Sequence, residues 1–290
     1  MRRAARLAAL LAALGAAPAR AAYEDLGAGA RAPGMGGVFA AIADDVYAVH
    51  YNPAGLTQLT RPELGTSYTK LLLGLTDNSD LNVMFLGYAH PLRGGRRGTV
   101  AASWEQFTLN TSLYQEQAFS LAYAAPLAAE LGPGRLLAGT SLKYLRRGFG
   151  SFPEATNSFD VDGISATRGP DPVLSGRSTV GALDADIGFL YKLRKYYSVG
   201  LSLRHVPQPD VAFSPSDSDR VPLATTLGLN YGSLLSNLGV QYETVRSPVG
   251  TRDHNLALAV ERWFPKLLVA ENGMRGAMNL GSRNFRQHTT

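Results

Sequence analysis

The sequence predicts an all-β fold, a transmembrane antiparallel β-barrel preceded by a short N-terminal plug. Three observations predict it: an export signal at the start, no later apolar run long enough for a spanning helix, and a two-residue rhythm of side chains after residue 60. Hydrophobic residues make up 45% of the chain and charged residues 18%, against about 25% charged residues in typical soluble proteins. This composition favours a chain that exposes apolar surface.

The first 22 residues are predicted to be a secretory signal peptide. Arginines within residues 1–6 precede an apolar stretch of leucine and alanine over 7–17, and Ala19 and Ala21 form a small-residue cleavage site. The apolar stretch is too short to cross about 30 Å of hydrocarbon. We therefore expect cleavage and export rather than a membrane anchor.

From residue 61 onward, segments of about ten residues alternate apolar side chains with small or polar ones, as membrane-spanning strands do. In the clearest segment, Leu183 to Tyr191, Asp184 and Asp186 lie opposite the apolar side chains. Since successive side chains of a strand point to opposite faces, one face suits lipid and the other a polar interior. The predicted strands cover 64–73, 80–90, 98–108, 114–124, 135–146, 180–192, 196–205, 222–232, 236–244, 254–263 and 266–279.

The connections predict the orientation of the barrel, because outer-membrane barrels have short periplasmic turns and longer extracellular loops. In the second half of the sequence, long and short connections alternate. The long ones cover 147–179, 206–221 and 245–253, and the short ones 193–195, 233–235 and 264–265. Aromatic residues near strand ends predict interfacial girdles that include Tyr88, Trp104, Tyr123, Tyr191, Tyr231 and Trp263.

Residues 23–60, the N-terminal segment, lack the strand rhythm and carry three short motifs. These motifs read Arg31-x-x-Gly34-Met35-Gly36-Gly37, Ala43-Asp44-Asp45 and Asn52-Pro53-Ala54-Gly55-Leu56. Together they resemble the opening of the FadL/TodX outer-membrane transporter superfamily, and the Gly-Met-Gly-Gly form is closest to its PorV/PorQ branch. Beyond these motifs, only the strand pattern matches that superfamily.

The resemblance implies a barrel of about 14 strands with the N-terminal segment inside its lumen as a plug, or hatch. Glycine allows close backbone packing, and Pro53 fixes its own φ and biases Asn52 toward an extended conformation, which suits a docked segment. The residues that the resemblance assigns to the hatch and its gating are Arg31, Gly34, Met35, Gly36, Gly37, Asp44, Asp45, Asn52, Pro53, Ala54 and Gly55.

The barrel is predicted to occupy residues 61–290 and to be incomplete there. About eleven strands are recognisable, whereas single-chain bacterial barrels normally have an even number. The sequence stops at Thr290 in what resembles the start of another strand, and no final strand ends in an aromatic residue. We therefore expect the C-terminus to be truncated by roughly three strands.

Polar residues within the predicted strands are candidates for contacts inside the lumen. They are Lys143, Asp184, Asp186 and Arg204. We expect the two aspartates to pair with inward basic residues such as Lys143 or Arg204. Asp44 and Asp45 are expected to cap a short helix or to pair with lumen arginines.

The residues indicate no catalysis, metal site or cofactor. The chain has no cysteine, and its histidines at 50, 90, 205, 254 and 288 lack the spacing of metal ligands. Asp160-x-Asp162-Gly163 lacks the following glutamate of a calcium loop. The net charge of +5 is spread along the chain, so nucleic acid is not an expected partner.

Two functions remain open for a barrel in contact with the lipid of the bacterial outer membrane. The first is passive transport of hydrophobic small molecules through a hatch-gated lumen, which predicts an apolar pocket beneath the long loops. The alternative is a PorV/PorQ-like accessory that binds secreted proteins or components of the secretion machinery without transport. The sequence does not separate the two.

Overall fold

The computed structural model of this chain describes residues 22–72, 80–110, 113–150, 178–214, 218–246, 252–264 and 274–282. The signal peptide, apart from its last residue, lies outside the described residues. So do most of the fifth connection with its Asp160–Gly163 motif, and the end of the chain after Ser282.

Eleven antiparallel strands form one sheet in which each strand pairs with its neighbours along the chain, from β1 to β11. The predicted all-β character is confirmed, and no described helix is long and apolar enough to cross a membrane. The strands are β1 (Glu63–Leu71), β2 (Leu81–Pro91), β3 (Thr99–Leu109), β4 (Tyr114–Leu131), β5 (Gly134–Phe149), β6 (Thr179–Leu193), β7 (Tyr197–Arg204), β8 (Ala224–Gly232), β9 (Ser236–Arg246), β10 (Arg252–Phe264) and β11 (Met274–Ser282).

The two-residue rhythm separates the side chains onto two faces of the sheet. On β6, Asp184 is buried on what we call the inner face, while its neighbour Leu183 is exposed on the outer face. The register of β5 against β6 places Lys143 opposite Asp184 and Leu142 opposite Ala185, so like faces align across the strands. The alternation that predicted the strands therefore continues across the sheet.

Two strand boundaries differ from the prediction by more than three residues. β4 continues past the predicted end at 124 to Leu131, because register shifts after Pro126 let the ladder continue around a residue without an N–H donor. The tenth connection was predicted at 264–265, and this was wrong, since Phe264 pairs with Met274 and residues 265–273 lie between them. The short connection was predicted because the apolar run after Pro265 has the local pattern of a strand in the sequence.

The alternation of long and short connections is otherwise present. The fifth and seventh connections cover 150–178 and 205–223, and the ninth is shorter than predicted, at 247–251. The fourth, sixth and eighth cover only 132–133, 194–196 and 233–235.

The aromatic residues do not all match the predicted girdles, because Trp104 lies in the middle of β3 and Trp263 lies on the inner face beside Glu261.

The N-terminal segment contains no strand, as predicted. It forms two single-turn helices, α1 (Arg31–Gly34) and α2 (Ala48–Tyr51), followed by a 3-10 helix (Pro53–Gln58). Pro53 begins the 3-10 helix, where its missing N–H costs nothing and its fixed φ is favourable.

The sheet curves around the N-terminal segment. Gly29 N donates to Ser67 Oγ on β1 (3.1 Å), and Asn279 Nδ2 on β11 donates to Gly34 O (3.0 Å). Gly29 and Gly34 are five positions apart in the sequence, so the backbone between them spans at most about 18 Å. In a flat sheet of eleven strands, β1 and β11 would be about 48 Å apart. The two outermost strands therefore approach each other on the inner side.

The main hydrophobic core lies between the N-terminal segment and the inner face. The segment contributes its large apolar side chains, while the strands contribute mostly alanine. The buried apolar residues of the segment include Met35, Val38, Phe39, Ile42, Val46, Val49, Tyr51 and Leu56. Small residues on the strands leave room for the segment, so this core could not form without it.

Candidate functional site

Glycines on the inner face form a cradle for the backbone of the N-terminal segment. A Cβ at Gly188 would lie 2.1 Å from Asn52 Oδ1, and one at Gly200 would lie 2.1 Å from Ala40 O. Such distances exclude any side chain unless the segment moves. The inner-face glycines in contact with the segment are Gly65, Gly87, Gly139, Gly188, Gly200, Gly228 and Gly239.

The Asn52-Pro53-Ala54 motif fixes the segment against β6. The fully buried Asn52 donates through Nδ2 to Ala40 O (2.7 Å) and to Phe189 O on β6 (3.1 Å). Its Oδ1 accepts from Ala54 N (3.1 Å) and so caps the 3-10 helix. A side chain with one acceptor and two donors is required here, which explains the asparagine.

The Gly-Met-Gly-Gly motif makes a tight turn after α1. Gly36 and Gly37 have φ of +62° and +82°, a region that favours glycine, and Met35 is completely buried. Gln241 on β9 holds the chain just beyond this turn. Its Nε2 donates to Gly37 O (2.7 Å), and its Oε1 accepts from the backbone amides of Phe39 and Ala40 (both 3.0 Å).

Arg31 joins the segment to β10. Its guanidinium binds both carboxylate oxygens of Glu261 at 2.7 and 2.9 Å, and it also pairs with Asp44 and Asp45. Asp44 and Asp45 were expected to cap a short helix or to pair with lumen arginines. Both pair with Arg31 of their own segment, and Asp45 Oδ1 also accepts from Tyr47 N (3.0 Å), just before α2. Burial raises the pKa of Asp45 to about 6 even beside Arg31.

The aspartates of β6 lie in a buried cluster on the inner face. Lys143 pairs with Asp186, as predicted, and Asp184 Oδ2 lies 2.6 Å from His205 Nδ1. Burial lowers the pKa of His205 despite the hydrogen bond to Asp184, so the neutral ring donates to that carboxylate. Arg204 pairs with neither aspartate and binds Asp25 and Glu243 instead.

Potential metal ligands also meet in this cluster, although the sequence showed no such spacing. Ligand atoms of Asp184, Asp186 and His205 lie within 4.8 Å of one another. The Lys143 ammonium is bound to Asp186 and already supplies positive charge there. The cluster is therefore a network of one ion pair and several hydrogen bonds, in which the buried Asp184 Oδ1 has no hydrogen-bond partner among the described residues.

A chain of charges crosses from β3 to β9 through the N-terminal segment. His50 Nδ1 lies 2.8 Å from Glu105 Oε2 on β3, and His50 Nε2 lies 3.0 Å from Asp25 Oδ1. Arg204 on β7 binds Asp25 at 2.7 Å and Glu243 on β9 at 3.0 Å. Sequence reasoning missed His50, Asp25, Glu105 and Glu243, because only the fold brings them together.

This chain of charges keeps His50 protonated. Burial alone would lower its pKa, but Glu105 and Asp25 outweigh burial and raise the pKa to about 9. Burial opposes ionisation of Asp25 too, yet Arg204 and His50 hold its pKa well below the usual range. The segment is thus attached to the sheet by ionised groups at neutral pH.

No protein-family profile and no curated protein matches the chain. The resemblance to the FadL/TodX superfamily remains a prediction that its motif residues carry. The structure brings those motif residues together at the contact between the segment and the inner face.

Replacing Gly188 with alanine is expected to loosen the N-terminal segment. The new Cβ would lie 2.1 Å from Asn52 Oδ1, and overpacking of this kind costs about 1–3 kcal/mol. Limited proteolysis of the folded protein in detergent should cut residues 23–60 at lower protease concentration. Gly276→Ala is the matched control, since its Cβ would meet Phe264 at an ordinary 3.7 Å. Equal protection in both variants would contradict the cradle.

Raising the pH from 7 to 10 is expected to loosen the same segment. The folded state binds the His50 proton more tightly than the unfolded state, so the stabilisation is complete below about pH 6.5 and is lost as pH rises through about 9. A pKa rise of this size corresponds to roughly 3 kcal/mol. Hydrogen exchange of residues 23–60 would measure the loss, and His50→Gln should abolish the difference between the two pH values. A variant that keeps the full pH effect would show that another group is responsible.

Proposed function

We propose that this chain forms a β-barrel in the bacterial outer membrane and that the N-terminal segment is its seated plug. The observation that carries the proposal is that polar side chains are buried on the inner face and apolar ones are exposed on the outer face, the reverse of a protein in water. On the inner face, Lys143 and Asp184 are 7% and 3% exposed, whereas their outer-face neighbours Leu142 and Leu183 are 64% and 77% exposed. Water would favour the opposite arrangement, and lipid favours this one.

The height of the apolar outer band fits a membrane. On β6, apolar outer-face residues run from Leu183 to Tyr191, and on β5 mostly apolar ones run from Leu136 to Tyr144. Each stretch takes eight steps, about 26 Å along the strand at 3.3 Å per residue. A tilt of about 40° reduces this to about 20 Å, close to the roughly 25 Å band of outer-membrane barrels.

The apolar outer face extends along the whole sheet. Soluble monomers rarely expose contiguous apolar patches larger than a few hundred Å². The exposed large apolar residues on the strands include Leu64, Tyr68, Leu86, Tyr88, Phe119, Leu121, Tyr123, Leu142, Tyr144, Leu183, Tyr197, Leu227, Leu229, Tyr231, Leu238, Val240, Leu256, Leu258, Val260, Met278 and Leu280. A surface of this extent is explained by contact with lipid.

The plug is too firmly packed to leave the lumen as a gate. Eight of its large aliphatic and phenylalanine side chains are at most 4% exposed, whereas Leu26 is 41% exposed, and burial of each of the eight contributes about 1.5–3 kcal/mol. The eight are Met35, Val38, Phe39, Ile42, Val46, Val49, Leu56 and Leu59. Removal of the whole segment would therefore cost on the order of 10–20 kcal/mol before any ion pair is broken.

A seated plug favours the accessory role over hatch-gated transport. In that role the barrel is a sealed membrane anchor, and its long connections bind exported proteins or components of the export machinery. Transport of a hydrophobic small molecule needs the plug to shift, as well as an apolar pocket. That pocket was predicted beneath the long loops, whose residues 151–177 lie outside the described residues.

Leucine-to-arginine substitutions are expected to distinguish lipid contact from solvent contact. An arginine in place of Leu142, between the centre of the outer band at Thr140 and its end at Tyr144, should destabilise the inserted barrel by about 1–3 kcal/mol, since the cost falls from the midplane toward the interface. Leu234→Arg is the matched control, because Leu234 lies in a short turn and is 90% exposed. The readouts are recovery in the outer-membrane fraction and the heat-dependent shift of the folded barrel on a denaturing gel. Equal behaviour of the two variants would refute lipid contact at Leu142.

A disulfide lock tests whether the plug moves during function. Ser198 on β7 donates to Ala41 O of the segment (2.7 Å). The chain has no cysteine of its own, so a Ser198→Cys/Ala41→Cys variant can form no other disulfide within the chain. The accessory proposal predicts that crosslinking of exported proteins to the barrel is the same in the oxidised and reduced forms. Uptake of a hydrophobic probe in the reduced form only would favour transport instead.

A further inference from the structure

The end of the sheet that carries the short connections has an excess of exposed positive charge. We call this set the basic rim; it consists of Arg61, Arg93, Arg96, Arg97, Arg135, Arg194, Lys195 and Arg262. In the described parts of the chain, none of the eight forms an ion pair with an acidic residue. Two acidic residues at this end, Asp44 and Glu261, are bound to Arg31 instead.

Among the residues that the structure describes, the opposite end of the sheet has no such excess. There Lys70 pairs with Asp80, and Arg147 pairs with Asp219. Further exposed cations, such as Arg220 and Arg252, lie among acidic residues that include Asp210 and Asp253. At that end, exposed cations thus have acidic neighbours, whereas the cations of the basic rim form no ion pair among the described residues.

The basic rim adjoins a belt of outer-face tyrosines. Tyr197 and Tyr231 pack with ring centres 5.2 Å apart on neighbouring strands, and both are about half exposed. Tyr88 on β2 lies opposite Ala102 of β3, and Tyr123 on β4 lies opposite Val100, so both are exposed near the end of β3 that follows the turn between β2 and β3. Amphipathic rings at this level mark the boundary between hydrocarbon and headgroups. The cations beyond them are therefore at the height of lipid phosphates.

Direct contacts connect the rim to aromatic residues at this boundary. Lys195 Nζ lies 5.6 Å from the centre of the Tyr196 ring, and the Arg262 guanidinium lies 5.8 Å from that of Phe264. Tyr123 OH donates to the backbone carbonyl of Arg97 (3.0 Å). These contacts hold the cations at the perimeter of the sheet, beside the apolar band.

We infer that the basic rim binds the phosphate groups of anionic phospholipids in the leaflet at the short-turn end of the barrel. This inference rests on the proposed membrane location. The cations are distributed from β1 to β10, which suits many headgroups around a barrel better than one ligand in a pocket. Guanidinium groups match phosphate oxygens in geometry and charge, and they make up seven of the eight side chains.

The test compares lipid binding by two matched triple variants of the full chain. The rim variant is Arg93→Gln/Arg96→Gln/Arg97→Gln, in one turn. The control is Arg146→Gln/Arg220→Gln/Arg252→Gln, which removes three exposed arginines from the opposite end. Native mass spectrometry in neutral detergent would measure the apparent affinity for phosphatidylglycerol and for phosphatidylcholine.

The rim variant is expected to lose at least tenfold in phosphatidylglycerol affinity, because each cation near an anionic surface contributes roughly fivefold. The control should stay within about twofold of the unaltered chain, and phosphatidylcholine binding should not change. High salt should remove the preference for the anionic lipid. Equal affinities in the two variants, or no preference in the unaltered chain, would overturn the inference.

Two further readouts separate this inference from other outcomes. Insertion into neutral phosphatidylcholine vesicles, followed by the heat-dependent gel shift, tests the barrel itself. If the chain inserts but shows no preference for phosphatidylglycerol, only the inference about the rim fails; if it does not insert, the proposed function fails. Retention by isolated peptidoglycan that depends on the rim, without a lipid preference, would assign the rim to the cell wall and overturn the lipid proposal.

Discussion

Paired charges between the N-terminal segment and the inner face are the interaction on which the rest of the structure depends. The inner face buries ionisable side chains from several strands, and an unpaired buried charge costs several kcal/mol. The segment supplies the missing partners: Asp25 for Arg204, His50 for Glu105, and Arg31 for Glu261. Without the segment the wall would hold uncompensated charges, so the sheet and the segment need each other to fold.

The glycine cradle and the apolar core follow from this docking. Polar pairing requires the backbone of the segment to approach the strands closely, and glycines at inner-face positions permit that approach. The close approach then buries apolar side chains such as Phe39 and Leu56 against inner-face alanines. The interior is filled by the segment, and the large apolar side chains of the strands are left on the outside. An apolar exterior and an interior side packed with the segment are thus two consequences of one arrangement.

The strands were predictable from the sequence because their signal is local. A two-residue period is visible within ten residues, and it placed Asp184 and Asp186 on the inner face and Leu183 on the outer face. The Asn52-Pro53-Ala54 and Gly-Met-Gly-Gly motifs could also be recognised from short stretches of sequence, since proline fixes its own φ and glycine permits conformations that other residues rarely adopt.

Long-range pairings could not be predicted. Gln241 binds the backbone of Phe39 across 202 positions of sequence, and Arg31 binds Glu261 across 230. Such partners are set by strand register and sheet curvature, which no short window contains. The prediction of the tenth connection failed because the local pattern was misleading. The apolar run after Pro265 has a strand-like pattern in the sequence, but Phe264 pairs with Met274, and that pairing is a tertiary property.

The two tryptophans offer the most direct test of the central claim, that the outer face contacts lipid and the inner face contacts the plug. Trp104 lies on the outer face in the middle of β3, and Trp263 lies on the inner face of β10. Single-tryptophan variants, Trp263→Phe and Trp104→Phe, would be reconstituted in vesicles of lipids brominated along the acyl chain. Strong quenching of Trp104 and little quenching of Trp263 is the predicted result. Equal quenching of both, or none of Trp104, would contradict the account.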